Sequence, residues 1–422
     1  MNKTFNNKTA WKNAPDKNLG NKFLFFIVWP FGAWISCFKS ANTKSSYIIY
    51  FLFSLLLCWH MSPYNTTGLY DDFLGIMDRF RAYNFSTQEI LYQINAYFSF
   101  ADDAPKELYE NIVIWFVKSF TENYHFYFLV CAIPVALFQL GCLKRMTQDS
   151  RFQAGTFYAI ACMVMLIFPR DIITVQNPRF TTGFWLCIYC IINYYSDSNK
   201  RIYKILPVIL APMIHSGLWL MSIFAVAFVF APKMTRVWEL FAMATIPFCF
   251  LDSNILMNVD LSAYLPSFLY QWSLLHFDPD NSNVIQGSGF HWVGVTFTVM
   301  IKIMYAYMVV TMIRNKEELM ENSEAEGLYS MLLAFFCLTN LIQGVPVLGE
   351  RYYWAVQILV MFVWFKAFYP TRVKTMKCLL ISNTLAFVFR YGYILGGALA
   401  VNTPPDIFFT PLPYLMGKGL LW

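Results

Sequence analysis

Long apolar runs separated by short polar connections follow one another along almost the whole chain. The runs span residues 22–38, 45–60, 126–143, 155–168, 180–195, 204–230, 237–251, 292–313, 328–341, 352–369 and 378–401. A helix that crosses a bilayer needs about 20 mainly apolar residues, and several of the runs approach that length. The pattern predicts an all-α, polytopic integral membrane bundle of about 11–13 transmembrane or re-entrant helices. We expect residues 1–422 to form a single transmembrane domain.

One of these runs, residues 204–230, is interrupted by polar and helix-breaking residues near its middle. Pro212, His215 and Ser216 stand there in an otherwise apolar sequence. Two short half-helices that meet near His215 would carry this run into the membrane and back to the side from which it came. Such broken elements occur where neighbouring protein buries the backbone groups that the break sets free.

Basic residues concentrate in a few short connections between the runs. These are Lys39 and Lys44; Lys144, Arg145 and Arg151; Lys200, Arg201 and Lys204; and Arg372, Lys374 and Lys377. Cytoplasmic loops carry such an excess of Lys and Arg. Residues 61–125 are instead rich in aspartate, and residues 252–291 contain four Asp and neither Lys nor Arg. We therefore predict two larger extracytoplasmic loops at 61–125 and 252–291, the first with amphipathic segments.

The composition fits a membrane protein and excludes several soluble classes. Hydrophobic residues make up 58% of the chain and charged residues 13%, against about 25% in soluble domains. The net charge of +6 follows from the cytoplasmic connections, so we expect no nucleic-acid partner. The sequence contains no phosphate-binding Walker loop, no His-Glu-x-x-His and no Gly-x-Ser-x-Gly. We expect neither a metal nor a cofactor.

Arginines at the ends of apolar runs are the strongest candidates for ligand binding. Arg179 follows Pro178, which suits the first turn of a helix, so its guanidinium would lie beside free backbone N–H groups. Arg170 stands at the other end of the same connection, and Arg351 opens a later run. Interfacial arginines can also simply reach toward lipid headgroups. Two or three at one membrane face would suit a pyrophosphate, which needs several bidentate donors.

Three residues are candidates for accepting a proton. His215 lies in an apolar context where an ionisable side chain is costly, and a neutral imidazole there could act as a base. The alternative is a histidine whose hydrogen bonds a neighbouring helix satisfies. Asp72 and Glu350 are the other candidates, although Glu350 could instead form an ion pair that orients Arg351.

Two further cations lie deep within apolar runs. Lys302 and Arg390 are far from the predicted ends of their spans. A charge at that depth normally faces the interior of a helical bundle or a wet cavity. These two side chains are therefore predicted to line a path for the substrate.

Taken together, these motifs resemble the EpsG family of bacterial exopolysaccharide polymerases, which are related in function to the Wzy polymerases of O-antigen. The matching features are Gly68-Leu69-Tyr70-Asp71-Asp72 after the second run, Arg179 opening a run, Ala211-x-x-x-His215-Ser216, and Glu350-Arg351-Tyr352-Tyr353. The resemblance extends from about residue 22 to residue 369.

The resemblance implies a membrane glycosyltransferase in the bacterial cytoplasmic membrane with its active face outside. Its substrate would be an oligosaccharide repeat on undecaprenyl pyrophosphate, and its reaction would join repeats into a surface polysaccharide or capsule. The arginines would hold the pyrophosphate, and His215, Asp72 or Glu350 would take the proton of the acceptor. The flippase and a chain-length regulator of the same pathway would be its partners. Other glycan ligases, acyltransferases and lipid-linked oligosaccharide flippases remain alternative interpretations.

Overall fold

The computed structural model describes residues 19–60 except 42, 72–147 except 100, 102 and 103, 178–250 except 232 and 233, 291–368 except 345–347, parts of 371–385, and 405–420. Every regular element in these ranges is an α-helix or a short 3-10 helix, and none is a strand. The predicted all-α class is therefore confirmed for the part of the chain that the structure describes.

Sixteen α-helices are named here in chain order. They are α1 (Leu19–Val28), α2 (Pro30–Cys37), α3 (Lys44–Trp59), α4 (Asp72–Ala82), α5 (Thr87–Ser99), α6 (Tyr109–Lys118), α7 (His125–Thr147), α8 (Pro178–Tyr195), α9 (Ala211–Ile214), α10 (Trp219–Phe230), α11 (Thr235–Thr245), α12 (His291–Arg314), α13 (Lys316–Met320), α14 (Ser323–Leu341), α15 (Leu348–Phe368) and α16 (Leu412–Leu420). Most predicted runs coincide with these helices. The run 155–168, the loop 252–291 apart from His291, and most of the run 378–401 lie outside the described residues.

Local sequence signals set where several of these helices begin. Pro178 is the first residue of α8, a position that needs no backbone N–H. Thr43 caps α3 by accepting a hydrogen bond from the Ser46 N–H at 3.3 Å. Asn322 caps α14 in the same way and accepts from two backbone N–H groups at 3.1 Å. Polar residues in the connections therefore act as helix starts.

The predicted outer loop 61–125 contains three amphipathic helices, α4 to α6. A capping box starts α5: the Ser86 N–H donates to the Glu89 carboxylate at 2.6 Å, and the Glu89 N–H donates to Ser86 Oγ at 3.2 Å. Hydrogen bonds from the Ser86 backbone N–H, and secondarily from its side chain, to the ionised carboxylate lower the pKa of Glu89. The loop is thus a helical layer whose inner face can hold charged side chains in place.

Two compact units make up the chain. The first contains residues 1–193, 202–223 and 391–422, and the second contains 194–201 and 224–390. In the first unit the ammonium of Lys22 on α1 donates to four hydroxyls at 2.8–3.0 Å, those of Ser40, Thr43, Ser45 and Ser46. This cluster joins α1 to the start of α3. Farther along α3, Tyr50 donates to Gln139 Oε1 of α7 at 2.8 Å in a buried pair.

The second unit is built on α14 and α15, with α11 packed against α14. Ion pairs hold the ends of its helices. Lys366, near the end of α15, is buried and lies 2.7 Å from the Glu324 carboxylate in the first turn of α14. Lys316 of α13 lies 2.7 Å from Glu239 of α11. Each cation is therefore compensated by a carboxylate from a neighbouring helix.

Among the described helices, α7 is the one whose length and composition together suit a membrane crossing. Shorter apolar helices are α1, α3 and the segments 202–214 and 216–230. Four other described helices also have at least 18 residues: α8 with 18, α12 with 24, α14 with 19 and α15 with 21.

Replacing Gly327 of α14 with alanine should destabilise the second unit by about 1–3 kcal/mol, the usual cost of adding a methyl group to a tightly packed site. A Cβ at this position would lie 2.2 Å from the backbone carbonyl oxygen of Tyr195, which cannot rotate away. Thermal unfolding of the detergent-solubilised protein measures the effect. The matched control is Gly417→Ala in α16, where a Cβ meets nothing within 4 Å. Equal melting temperatures for the two variants would contradict this packing.

Candidate functional site

Arg179 lies in the first turn of α8, as the sequence predicts, and it contacts two carboxylates. Its Nη1 is 3.1 Å from Glu107 Oε2 and 3.0 Å from Glu110 Oε2. The arginine side chain is 22% exposed, whereas those of Glu107 and Glu110 are 11% and 5% exposed. The Arg179 side chain is therefore partly exposed, while its two counter-charges are almost buried.

A second arginine shares one of these carboxylates. Arg79 of α4 donates from Nε to Glu110 Oε1. Glu110, in the first turn of α6, thus lies between Arg79 and Arg179. Among the described residues, two arginines and two glutamates contact one another here, and the formal charges of these four cancel. An anion that enters would have to compete with the carboxylates for the guanidinium groups.

The broken segment packs beside this cluster. The α9 helix ends at Ile214, His215 is extended with φ −152° and ψ 121°, and a 3-10 turn starts at Ser216. The predicted interruption is confirmed, although most of its first half is 3-10 helix instead of α-helix. The backbone N–H of Leu108 donates to the Met213 carbonyl at 2.9 Å. This bond ties the break to the segment that carries Glu107.

A glycine on α8 lets the broken segment come close. A Cβ on Gly183 would lie 2.4 Å from Leu218 Cδ1 and 3.3 Å from the carbonyl oxygen of Ala211. Only a residue without a side chain accommodates both contacts unchanged. Gly183 therefore allows His215 and its neighbours to pack against the helix whose first turn carries Arg179.

Glu107 connects Arg179 to the break. Its Oε1 accepts hydrogen bonds from both the backbone N–H and the hydroxyl of Ser216, each at 3.0 Å. The same oxygen is 3.8 Å from His215 Nδ1. One carboxylate therefore contacts the helix start at Arg179 and the interrupted segment at Ser216.

His215 has a defined hydrogen-bonding geometry. Its Nδ1 accepts from the Gly217 N–H at 3.0 Å, and its ring meets that of Phe180 edge to face with centroids 5.2 Å apart. Because Nδ1 is an acceptor, the proton of the neutral imidazole lies on Nε2. In this arrangement His215 can donate a hydrogen bond from Nε2 but has no accepting nitrogen left. The predicted role as a base does not fit this tautomer.

No protein-family model, no curated protein and no solved structure matches the chain. The chemistry of the site is therefore inferred from its own residues. In the described ranges, no group of three His, Cys, Asp or Glu side chains is arranged to hold a metal ion. What the site offers is a partly exposed guanidinium, two carboxylates, a hydroxyl and an imidazole N–H. Such groups can bind an anionic, hydroxyl-bearing ligand and move a proton.

The other predicted site residues fall elsewhere. Glu350 and Arg351 lie in the first turns of α15, and Lys302 lies on α12 with its ammonium 5.9 Å from the centre of the Tyr353 ring. All of them belong to the second unit, and Arg179 belongs to the first. The convergence of Arg179 with Arg351 stays a prediction. Glu350 is exposed and Arg351 is half-buried.

Three of the predicted positions lie outside the described part of the chain. They are Arg170, Arg390 and the side chain of Asp72, whose backbone begins α4. Their predicted roles, in binding the pyrophosphate for the arginines and in taking a proton for Asp72, stay predictions.

Sequence reasoning missed Arg79, Glu107 and Glu110. All three lie in the loop 61–125. The excess of aspartate there predicts the side of the membrane on which the loop lies, but it does not single out individual residues. A signal was available, because Glu107 and Glu110 are three residues apart at the start of an amphipathic helix. That spacing puts both carboxylates on one side of the chain.

Proposed function

We propose that this protein is a membrane glycosyltransferase that joins oligosaccharide repeats carried on undecaprenyl pyrophosphate into a surface polysaccharide. The observation that carries the proposal is the partly exposed Arg179 at a helix start, beside carboxylates, a serine hydroxyl and an imidazole, in a chain that is 58% hydrophobic. Guanidinium groups and free helix N–H groups suit a pyrophosphate. The motif resemblance to the EpsG polymerases points to the same substrate.

The surface of the helices supports a place in the membrane. Large apolar side chains are strongly exposed, among them Phe230 at 76%, Leu240 at 73% and Leu24 at 63%. They lie on α10, α11 and α1, which come from different parts of the sequence. Soluble proteins rarely expose large apolar patches, whereas lipid covers them in a bilayer. We place the protein in the bacterial cytoplasmic membrane with Arg179 at the extracytoplasmic face.

In the proposed reaction the hydroxyl of an acceptor sugar attacks the anomeric carbon of the donor. The bond from that carbon to the pyrophosphate oxygen breaks, and its electron pair leaves with undecaprenyl pyrophosphate. Arg179, with Arg351 and Arg170 as predicted partners, stabilises the negative charge that develops there. His215, in its observed tautomer, donates a hydrogen bond from Nε2 to the glycan or to a phosphate oxygen.

Two other predicted roles belong to the same proposal. Lys302 and Arg390 line the path along which the lipid-linked chain moves. The flippase delivers the repeats to the outer leaflet, and a chain-length regulator of the same pathway is the expected second partner. The transfer reaction needs neither a nucleotide nor a metal, because the pyrophosphate is already an activated leaving group.

The length distribution of surface and lipid-linked glycan tests this function. Cells that lack the gene should carry single repeats on the outer leaflet, and the ladder of longer chains should return with the wild-type gene. A ladder of normal length in the deletion strain would exclude a polymerase and favour a ligase or an acyltransferase. Repeats trapped on the cytoplasmic leaflet would instead indicate a flippase, with the break at His215 as a gate.

A further inference from the structure

We propose that Glu107 is the general base of the transfer reaction. This inference rests on the proposed function and specifies which group takes the proton of the acceptor hydroxyl. The contacts around Arg179 and His215 support it. A transfer to a hydroxyl needs a group that removes its proton as the new bond forms.

The observed contacts remove His215 from that role. Its Nδ1 accepts from Gly217, so the neutral ring has its proton on Nε2 and lacks a free lone pair on nitrogen. Its neighbour Glu107 has one carboxylate oxygen beside Ser216 at the break and the other beside Arg179. We look for the base among the described carboxylates that contact Arg179, because these lie at the proposed pyrophosphate site.

Two carboxylates contact Arg179, and their surroundings differ. Glu110 is 5% exposed and lies between two guanidinium groups, which hold it in a fixed ion-pair network. Among the described residues Glu107 contacts one guanidinium, is 11% exposed, and already accepts a hydrogen bond from the Ser216 hydroxyl. Glu107 is thus placed to accept a hydrogen bond from a hydroxyl group. Glu110 instead holds two guanidinium groups in place.

The same contacts explain how substrate binding would free the Glu107 carboxylate to act as the base. A pyrophosphate that binds Arg179 competes with Glu107 for the guanidinium Nη1. Once that ion pair loosens, the Glu107 carboxylate can accept from the acceptor sugar. The hydroxyl proton moves to the carboxylate, the hydroxyl oxygen bonds to the anomeric carbon, and the pyrophosphate departs with the electron pair. The proton then passes from Glu107 to water.

Chain lengthening by the purified protein in liposomes tests this role. The probe is the lipid-linked repeat extracted from cells that lack the gene, and initial rates are measured over a range of its concentrations. Glu107→Gln should lower kcat by about 100-fold or more, the size expected for losing a general base. KM should stay unchanged or fall, because the pyrophosphate no longer competes with a carboxylate for Arg179.

The matched control removes a carboxylate from the same loop. Glu122→Gln affects an exposed residue whose ion pair with Lys118 spans 3.4 Å, and it should leave kcat and KM unchanged. If Glu107→Gln fails to fold, Glu107→Asp decides. It keeps the carboxylate, so a kcat reduced by about tenfold with KM unchanged would support the role.

Two outcomes overturn this inference. One is a Glu107→Gln protein that keeps more than half of the wild-type kcat. The other is a Glu107→Asp protein with unchanged kcat when the Gln variant does not fold. A wild-type protein that never lengthens the lipid-linked repeat, by contrast, refutes the proposed function itself. The two failures are therefore distinguishable in one experiment.

Discussion

Replacing Arg179 with lysine should reduce chain lengthening by about 100-fold or more, the size seen when one strong donor to a developing negative charge is lost. Lysine keeps the positive charge near Glu107 and Glu110, so the cluster stays neutral and the protein should still fold. It lacks the planar fork that holds two phosphate oxygens at once. The same loss is expected for Arg351→Lys. Glycan ladders from complemented deletion cells measure both effects.

The control for this exchange is Arg314→Lys. Arg314 is the exposed last residue of α12 and belongs to the second unit. Its replacement should leave the ladder unchanged at equal protein levels in the membrane. Near-normal chain length in the Arg179→Lys strain would refute the phosphate-binding role of Arg179. Near-normal length in the Arg351→Lys strain would refute the role of Arg351 in the same way.

Replacing Glu110 with glutamine should lower the stability of the first unit by about 3–5 kcal/mol, the usual cost of breaking a buried ion pair from one side. The side chain is 5% exposed and compensates both Arg79 and Arg179. Glutamine has nearly the same shape but removes the charge that compensates Arg79 and, together with Glu107, Arg179. Denaturant or thermal unfolding of the solubilised protein measures the change.

Glu122, which forms an ion pair with Lys118, is the reference for this measurement. Glu122 is 75% exposed, so Glu122→Gln should cost about 0–1 kcal/mol, as surface ion pairs do. A Glu110→Gln variant no less stable than Glu122→Gln would contradict the buried network. In a double variant, Arg79→Met with Glu110→Gln, part of the lost stability should return, because one uncompensated charge is removed.

We expect one substitution at this site to affect mainly stability and another to affect mainly activity. Glu110→Gln is expected to act mainly on unfolding, because two guanidinium groups fix the residue in place. Arg179→Lys is expected to act mainly on the reaction, since it preserves the charge balance. The opposite pattern would mean that Glu110 takes part in the chemistry and that Arg179 only holds α6 against α8.

Hydropathy along the chain was sufficient to predict most of the helices that the structure describes. The run 45–60 became α3, 180–195 became α8, and the break near Pro212 and His215 is present. The reason is that apolar runs, helix-starting prolines and caps act through residues only a few positions apart. Arg179 could be singled out for the same reason, because Pro178 before an apolar run marks the first turn of a helix.

The tertiary structure alone decided which groups meet at that turn. Glu107 and Ser216 are 109 positions apart, and Arg79 and Glu110 are 31 apart. No local pattern encodes such contacts, because they arise when the amphipathic loop helices pack against the start of α8. The tautomer of His215 also depends on the fold, since the extended backbone at the break aims the Gly217 N–H at Nδ1. The sequence by itself thus determined the helices and one arginine, and packing determined its partners, because charge pairing across distant segments exists only once the chain is folded.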